Sequence, residues 1–346
     1  MAPIFLPGLE LSVRYYAEVV RPIIDPAPHC AARLGWGSDV LGFDTVRSTD
    51  HGWGPRLQIF VAERIVDEVR AHVDAGLPTT FMGWPTRYGW DAVEPRHWVE
   101  VSTLEDWLLG HFGYDPRPAP TTMAWLTTPT QLMLGMVRGA VFRDPAGDLA
   151  ALRVALRWYP EDVWRYALMS GWQRIEEEEH FVGRTAEVGD VLGSQIVTAR
   201  LVRDVMKLAF LIERRYAPYS KWFGSEFDAL GASRELAPLL RAAVEARTHE
   251  EREAALVGAY GFCAERTNAL ALCEPVDPSP RVFHTRPFAV IGAKRIVESL
   301  RDSITDPVIR ALPAIGTIDQ WSDNVDLLTT SALTRRAREM YGLDDA

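Results

Sequence analysis

Residues 34–60 read LGWGSDVLGFDTVRSTDHGWGPRLQIF, and the fold turns on how this stretch is taken. Gly37-Ser38 follows a short apolar run, an acid arrives at Asp50, and an apolar strand pattern at Leu57–Val61 closes the stretch. A Gly-Ser pair between a strand and a helix lets a phosphate approach the backbone, where amides and the Ser38 hydroxyl donate hydrogen bonds. An acid on the following strand then holds a divalent cation against the same phosphate. Phosphoryl transfer with two ions uses such acids in pairs two residues apart, because alternate side chains of a strand share a face. Here Asp50 is followed by His51, which would point away, and by Gly52. The stretch predicts half of a metal site.

Working outward, residues 10–24 carry apolar positions at helical spacing, ending near Pro26. Ala31–Trp36 reads as a strand leading into Gly37-Ser38. Glu63–Ala75 is an amphipathic helix closed by Gly76. His97–Val101 alternates like a strand, and Ser102 or Thr103 caps a helix through Leu109. Gly139–Arg143 is a last strand before Pro145 and Gly147. From Asp148 the pattern turns helical: Pro160–Glu179, Glu187–Tyr216, Ser233–Thr248, Glu250–Leu272, then helices from Ile291 onward after a Pro-rich loop. The expectation is an α+β chain, with an α/β domain over residues 1–145 and an all-helical domain over 146–346.

Several stretches carry a resemblance: FLPGLELS, GSDVLGFDTVRSTDHGWGPRLQIF, HWVEVSTLEDWL, HFVGRTAEVGDVLGS and APYSKWFGSEF. Together they resemble an uncharacterised bacterial family, domain of unknown function 4037, in the nucleotidyltransferase superfamily with its DNA polymerase beta-like fold. The resemblance implies an N-terminal mixed sheet with flanking helices and a helical domain closing over the cleft. It also implies that relatives read Asp-His-Asp where this chain reads Asp50-His51-Gly52. The superfamily's third acid, on a later strand, corresponds by pattern to Glu100. So Asp50 and Glu100 are the candidate catalytic and metal-binding residues, and Gly37 and Ser38 the phosphate-binding ones. Asp39 and Asp44 are the acids near enough in sequence to compensate for Gly52. Arg47 and Arg56 either bind phosphate or pair with nearby acids.

In the helical half, Arg184, Glu187, Asp190 and Ser194 recur at three- and four-residue spacing, a stripe that faces either water or the cleft. Arg200, Arg203 and Lys207 line up behind them. Lys221, in the turn APYSKWFG, is a candidate for the triphosphate, with Trp222 placed to stack a base. The Glu176–Glu179 run reads as a solvated helix face, with Glu179 also a candidate to face the Gly-Ser turn. His180 and His284 are unassigned.

Net charge is −10, which disfavours a long nucleic acid as partner. No apolar run approaches the ~20 residues of a membrane helix. Three cysteines form no motif and point to reduced thiols in a cytoplasmic protein. The functional expectation is a Mg²⁺-dependent nucleotidyltransferase that moves a nucleoside monophosphate from an NTP to a hydroxyl of a small molecule. Two alternatives stay open: the same fold binding a nucleotide or metabolite without turnover, as Gly52 suggests, and a non-catalytic interaction protein. Oligomeric state is not legible.

Overall fold

A computed structural model describes residues 3–342. It is a mixed α+β chain in two compact units: the chain up to Pro120 with Gln131–Arg157, and Thr121–Thr130 with the chain from Trp158 onward.

The first unit is built on five strands: β1 Cys30–Arg33, β2 Arg56–Phe60, β3 Arg87–Trp90, β4 Val93–Ser102 and β5 Ala140–Arg143. Their order is β3-β4-β2-β1-β5. β2 and β4 run parallel, and the other neighbouring pairs are antiparallel. The parallel pair needs a crossover, and the helix Val66–Gly76 lies within it. Alternation along the strands separates two faces. Leu57 and Ile59 of β2, Val99 and Val101 of β4 and Ala31 of β1 face a core with Leu11, Tyr15, Val20 and Ile24. Val66, Val69 and Val73 of the crossover helix complete it. The intervening residues, Arg56 and Gln58 opposite Trp98 and Glu100 in register, therefore line the other face.

The N-terminal helix runs from Gly8 to Ile24 through a π-helical turn at Tyr16–Val20. Asp44 fixes its start, because one carboxylate oxygen accepts from Gly8 N at 2.6 Å and from Trp53 Nε1 at 2.9 Å. The β3–β4 hairpin was not expected from sequence, where only His97–Val101 alternated clearly.

In the second unit the principal helices are Glu161–Glu178, Val191–Ile212, Ser220–Asp228, Ser233–Glu245, His249–Ala269 and Lys294–Ser303. Two expectations are corrected. The unit is not all-helical, since Arg281–Val282 pairs antiparallel with Ala289–Val290 inside the Pro-rich loop. The helix expected from Glu187 is interrupted: Phe181–Glu187 ends, and Asp190 caps a new helix by accepting from Gly193 N at 2.8 Å. Among the described residues, no helix is long and apolar enough to cross a membrane.

Glu179, the last of the acidic run, is buried rather than solvated. Its carboxylate accepts from Ile291 N at 2.8 Å, Gly292 N at 3.2 Å and Ala293 N at 3.1 Å, satisfying amides ahead of Lys294–Ser303. Glu179→Ala leaves these donors buried and unmatched, so urea denaturation should show a loss of about 3 kcal/mol. Glu179→Gln keeps one acceptor oxygen and should lose less.

Candidate functional site

The turn after β1 is held by charge. Asp39 is 1% exposed and accepts from Arg33 Nε at 2.7 Å and Nη2 at 3.0 Å. Arg56 closes on the same carboxylate, Nε at 3.4 Å and Nη2 in a close ion pair. Arg33 also donates to the backbone oxygens of Leu34, from Nη1, and Trp36, from Nη2, each at 2.6 Å. Gly37 must be glycine here: its φ is +131°, and a Cβ would collide with the Asp39 carboxylate and both guanidiniums. The glycine expected to admit a phosphate thus admits the turn's own ion-pair cluster.

Burial opposes the charge on Asp39, but the neighbouring guanidiniums, Arg33 ahead of Arg56, outweigh it and hold its pKa at about 2. Arg33 also moves down, because burial and the like charge of Arg56 weigh more than the attraction of Asp39. Its ordinary value is so high that it keeps its proton. One carboxylate against two guanidiniums leaves an excess of positive charge, which Glu100 offsets from β4. Arg56 is 4% exposed, and its Nη1 is buried with no hydrogen-bond partner.

Gln58 ties this cluster to β4. Its Oε1 accepts from Leu34 N at 3.0 Å, and its Nε2 donates to Glu100 Oε2 at 3.1 Å. Glu100 therefore lies on the same face of the sheet as Arg56.

Asp50 is placed differently from the expectation. It ends a 3₁₀ turn, Val46–Asp50, and is exposed, whereas β2 begins only at Arg56. The reason is local: Thr45 and Ser48 cap each other's backbone and wind the segment into a turn. Asp50 and position 52 consequently share no strand face. Gly52 is buried with φ +60°, and a Cβ there would lie 3.4 Å from Trp36 and 3.5 Å from Trp90. Where a second carboxylate was expected, two indoles flank a left-handed glycine.

Of the acids proposed to compensate, Asp39 is neutralised by two arginines and Asp44 holds the N-terminal helix. Among the described residues no group of three or more His, Cys, Asp or Glu side chains is able to hold a metal ion. These side chains do not fit a centre of two ions bridged by paired carboxylates.

The second unit gives most of its candidate polar residues structural partners. Glu187 pairs with Arg286 at 2.6 Å, Arg200 with Glu178 at 2.6 Å and Arg203 with Asp323 at 2.9 Å. Lys207 donates to the backbone oxygen of Asp319 at 2.5 Å, and burial pushes its pKa down. Lys221 is exposed on the first turn of Ser220–Asp228, its ammonium 4.9 Å from the Trp222 ring centroid. His180 stacks on Phe283 at 4.3 Å.

Sequence reasoning missed Arg33, Gln58 and an aromatic group around Gly52: Trp36, Tyr88, Trp90 and Trp98. Trp90 and Trp98 stack at 4.8 Å, and Trp36 meets Trp98 edge-on at 6.2 Å. The signals were present, as Trp36 sits between two glycines and Tyr88-Gly89-Trp90 alternates, but they point to one another only after the hairpin forms.

The model of the family described as Domain of unknown function (DUF4037) matches residues 125–223. That stretch contains Lys221 and begins well beyond the Gly37-Ser38 turn. No curated protein matches the chain. A solved structure, a nucleotidyltransferase-like protein from Exiguobacterium sibiricum 255-15, is similar at 14% identity and a TM-score of 0.33, over 88% of this chain and 91% of that one.

Asp39→Asn removes the charge that compensates two buried guanidiniums and should cost about 3–5 kcal/mol in chemical denaturation. The carboxyl's folded pKa lies below its ordinary ~3.9, so its stabilisation is complete above that value and is lost as pH falls through about 2. The native protein should lose this contribution between about pH 4 and pH 2, and the Asp39→Asn variant should lack that part of the acid transition.

Proposed function

We infer that this chain is a nucleotidyltransferase-type protein that binds a nucleotide, or another phosphate-bearing metabolite, through its first unit without turning it over. The observation that carries this reading is the Arg33–Asp39–Arg56 cluster beside Gly37-Ser38. It takes the nearest acid out of metal chemistry and gathers two guanidiniums beside the turn that a phosphate would approach. A phosphate at the turn would meet two guanidiniums whose charge Asp39 and Glu100 balance in the free protein. Gly52 supports the second half of the reading, since its φ of +60° takes position 52 out of a strand and away from a shared face with Asp50.

The second reading is a Mg²⁺-dependent transferase with Asp50 and Glu100 at the ion. What favours it is Glu100, which sits on the same sheet face as Arg56 and in register with Gln58. Magnesium keeps several waters and tolerates few protein ligands.

A thermal-shift series separates the two. A ligand that binds only the native state raises the melting temperature by mass action. The four NTPs should raise it to a similar extent with Mg²⁺ and with EDTA, and no pyrophosphate should be released on incubation with small-molecule alcohols. A shift that requires Mg²⁺, together with pyrophosphate release, overturns the first reading in favour of the second.

Gly52→Asp gives an independent check. A non-glycine residue at this φ costs about 1–2 kcal/mol, and the new carboxylate would be pressed between two indoles. The variant should melt lower and gain no transferase turnover. A gain would mean that the paired carboxylate site had been restored.

A further inference from the structure

The aromatic group around Gly52 is unused by the reading above, although it adjoins the same turn. Trp36 is 50% exposed, which is unusual for so large an apolar ring on a short, rigid turn. Its backbone oxygen is fixed by Arg33. The guanidinium carbon of Arg56 lies 4.4 Å from its ring centroid, a cation–π contact that braces one face of the indole. Trp98 meets it edge-on, and Trp90 lies 6.0 Å away at 59°. His51 lies 5.6 Å from Trp90 at the exposed end. The indole is braced from one side while half of its surface stays open.

Two polar atoms beside this group have no partner. One is Arg56 Nη1 under Trp36; the other is Tyr88 Oη, packed against Gly54. Both are closed off from solvent, so what the protein offers a ligand here is the open face of Trp36.

We propose that Trp36, backed by Arg56 and flanked by Trp90 across Gly52, is the stacking platform for the base of the bound nucleotide. This rests on the nucleotide-binding reading above and adds which part of the ligand meets which residue. The base lies on the open indole face, and its phosphates extend toward the Gly37-Ser38 turn. Gly52 has a role in this arrangement: its φ of +60° carries the chain past the two indoles in a conformation that favours glycine. Stacking accepts any base, because every base has a π-face, so the four nucleotides should bind within about tenfold of one another.

The test is calorimetry on the full chain with ATP, UTP and inorganic tripolyphosphate, comparing wild type, Trp36→Ala and Trp36→Phe. Removal of a stacking ring should weaken ATP and UTP by about 10-fold or more. Tripolyphosphate, which has no base, should bind Trp36→Ala as it binds wild type, and Trp36→Phe should recover most of the nucleotide affinity. Melting temperatures close to wild type for both variants check that the turn is intact. Equal weakening of all three ligands, or no weakening of any, overturns the platform. Tripolyphosphate binding wild type as tightly as ATP overturns the platform and leaves the phosphate site standing. Failure of every ligand to bind wild type overturns the nucleotide reading, and the platform with it.

Discussion

A buried carboxylate held between two guanidiniums organises the first unit. Asp39, Arg33 and Arg56 come from the turn, from β1 and from β2, so their ion pairs join three segments at one point. Each charge would be costly in that interior alone, and together they are tolerated because nearly every donor and acceptor is matched. Much follows from the cluster. Gly37 has to be glycine because the cluster fills the space a Cβ would need. Trp36 is held at the surface because its backbone is bonded to Arg33 and its ring is braced by Arg56.

The same constraint shapes the chemistry. A phosphoryl-transfer centre gathers carboxylates around cations, and here a carboxylate is surrounded by cations instead. The result leaves Asp39 paired with arginines rather than free for a metal ion. The sheet still offers Glu100 on the site face, and the 3₁₀ turn offers Asp50 at the surface. Asp50 thus stands on a turn ahead of the strand, and Gly52 adopts a left-handed conformation beside two indoles.

Much of the fold was legible from pattern. The helix through residue 24, the strand before Gly37, the apolar strand at Leu57 and the alternation at His97 all follow from short-range periodicity, which local sequence encodes directly. Thr103 caps its helix as expected, accepting from Asp106 N at 3.0 Å. The break at Asp190 was missed because a continuous polar stripe looks the same whether one helix or two carry it. Glu179 was read as solvated because the amides it caps lie more than a hundred residues away, at Ile291–Ala293.

The sequence by itself determined the α+β class, the Gly-Ser turn between a strand and a helix, and the absence of an Asp-x-Asp pair. Each is a matter of residues close together in the chain. Tertiary structure alone decided what those residues do. Whether Asp39 meets a metal or two arginines depends on Arg33 and Arg56 arriving from different strands. Whether Gly52 sits in a strand or a left-handed turn depends on the capped turn before it and the indoles around it. Charges and rings act through space over a few ångströms, and only the folded sheet sets those distances.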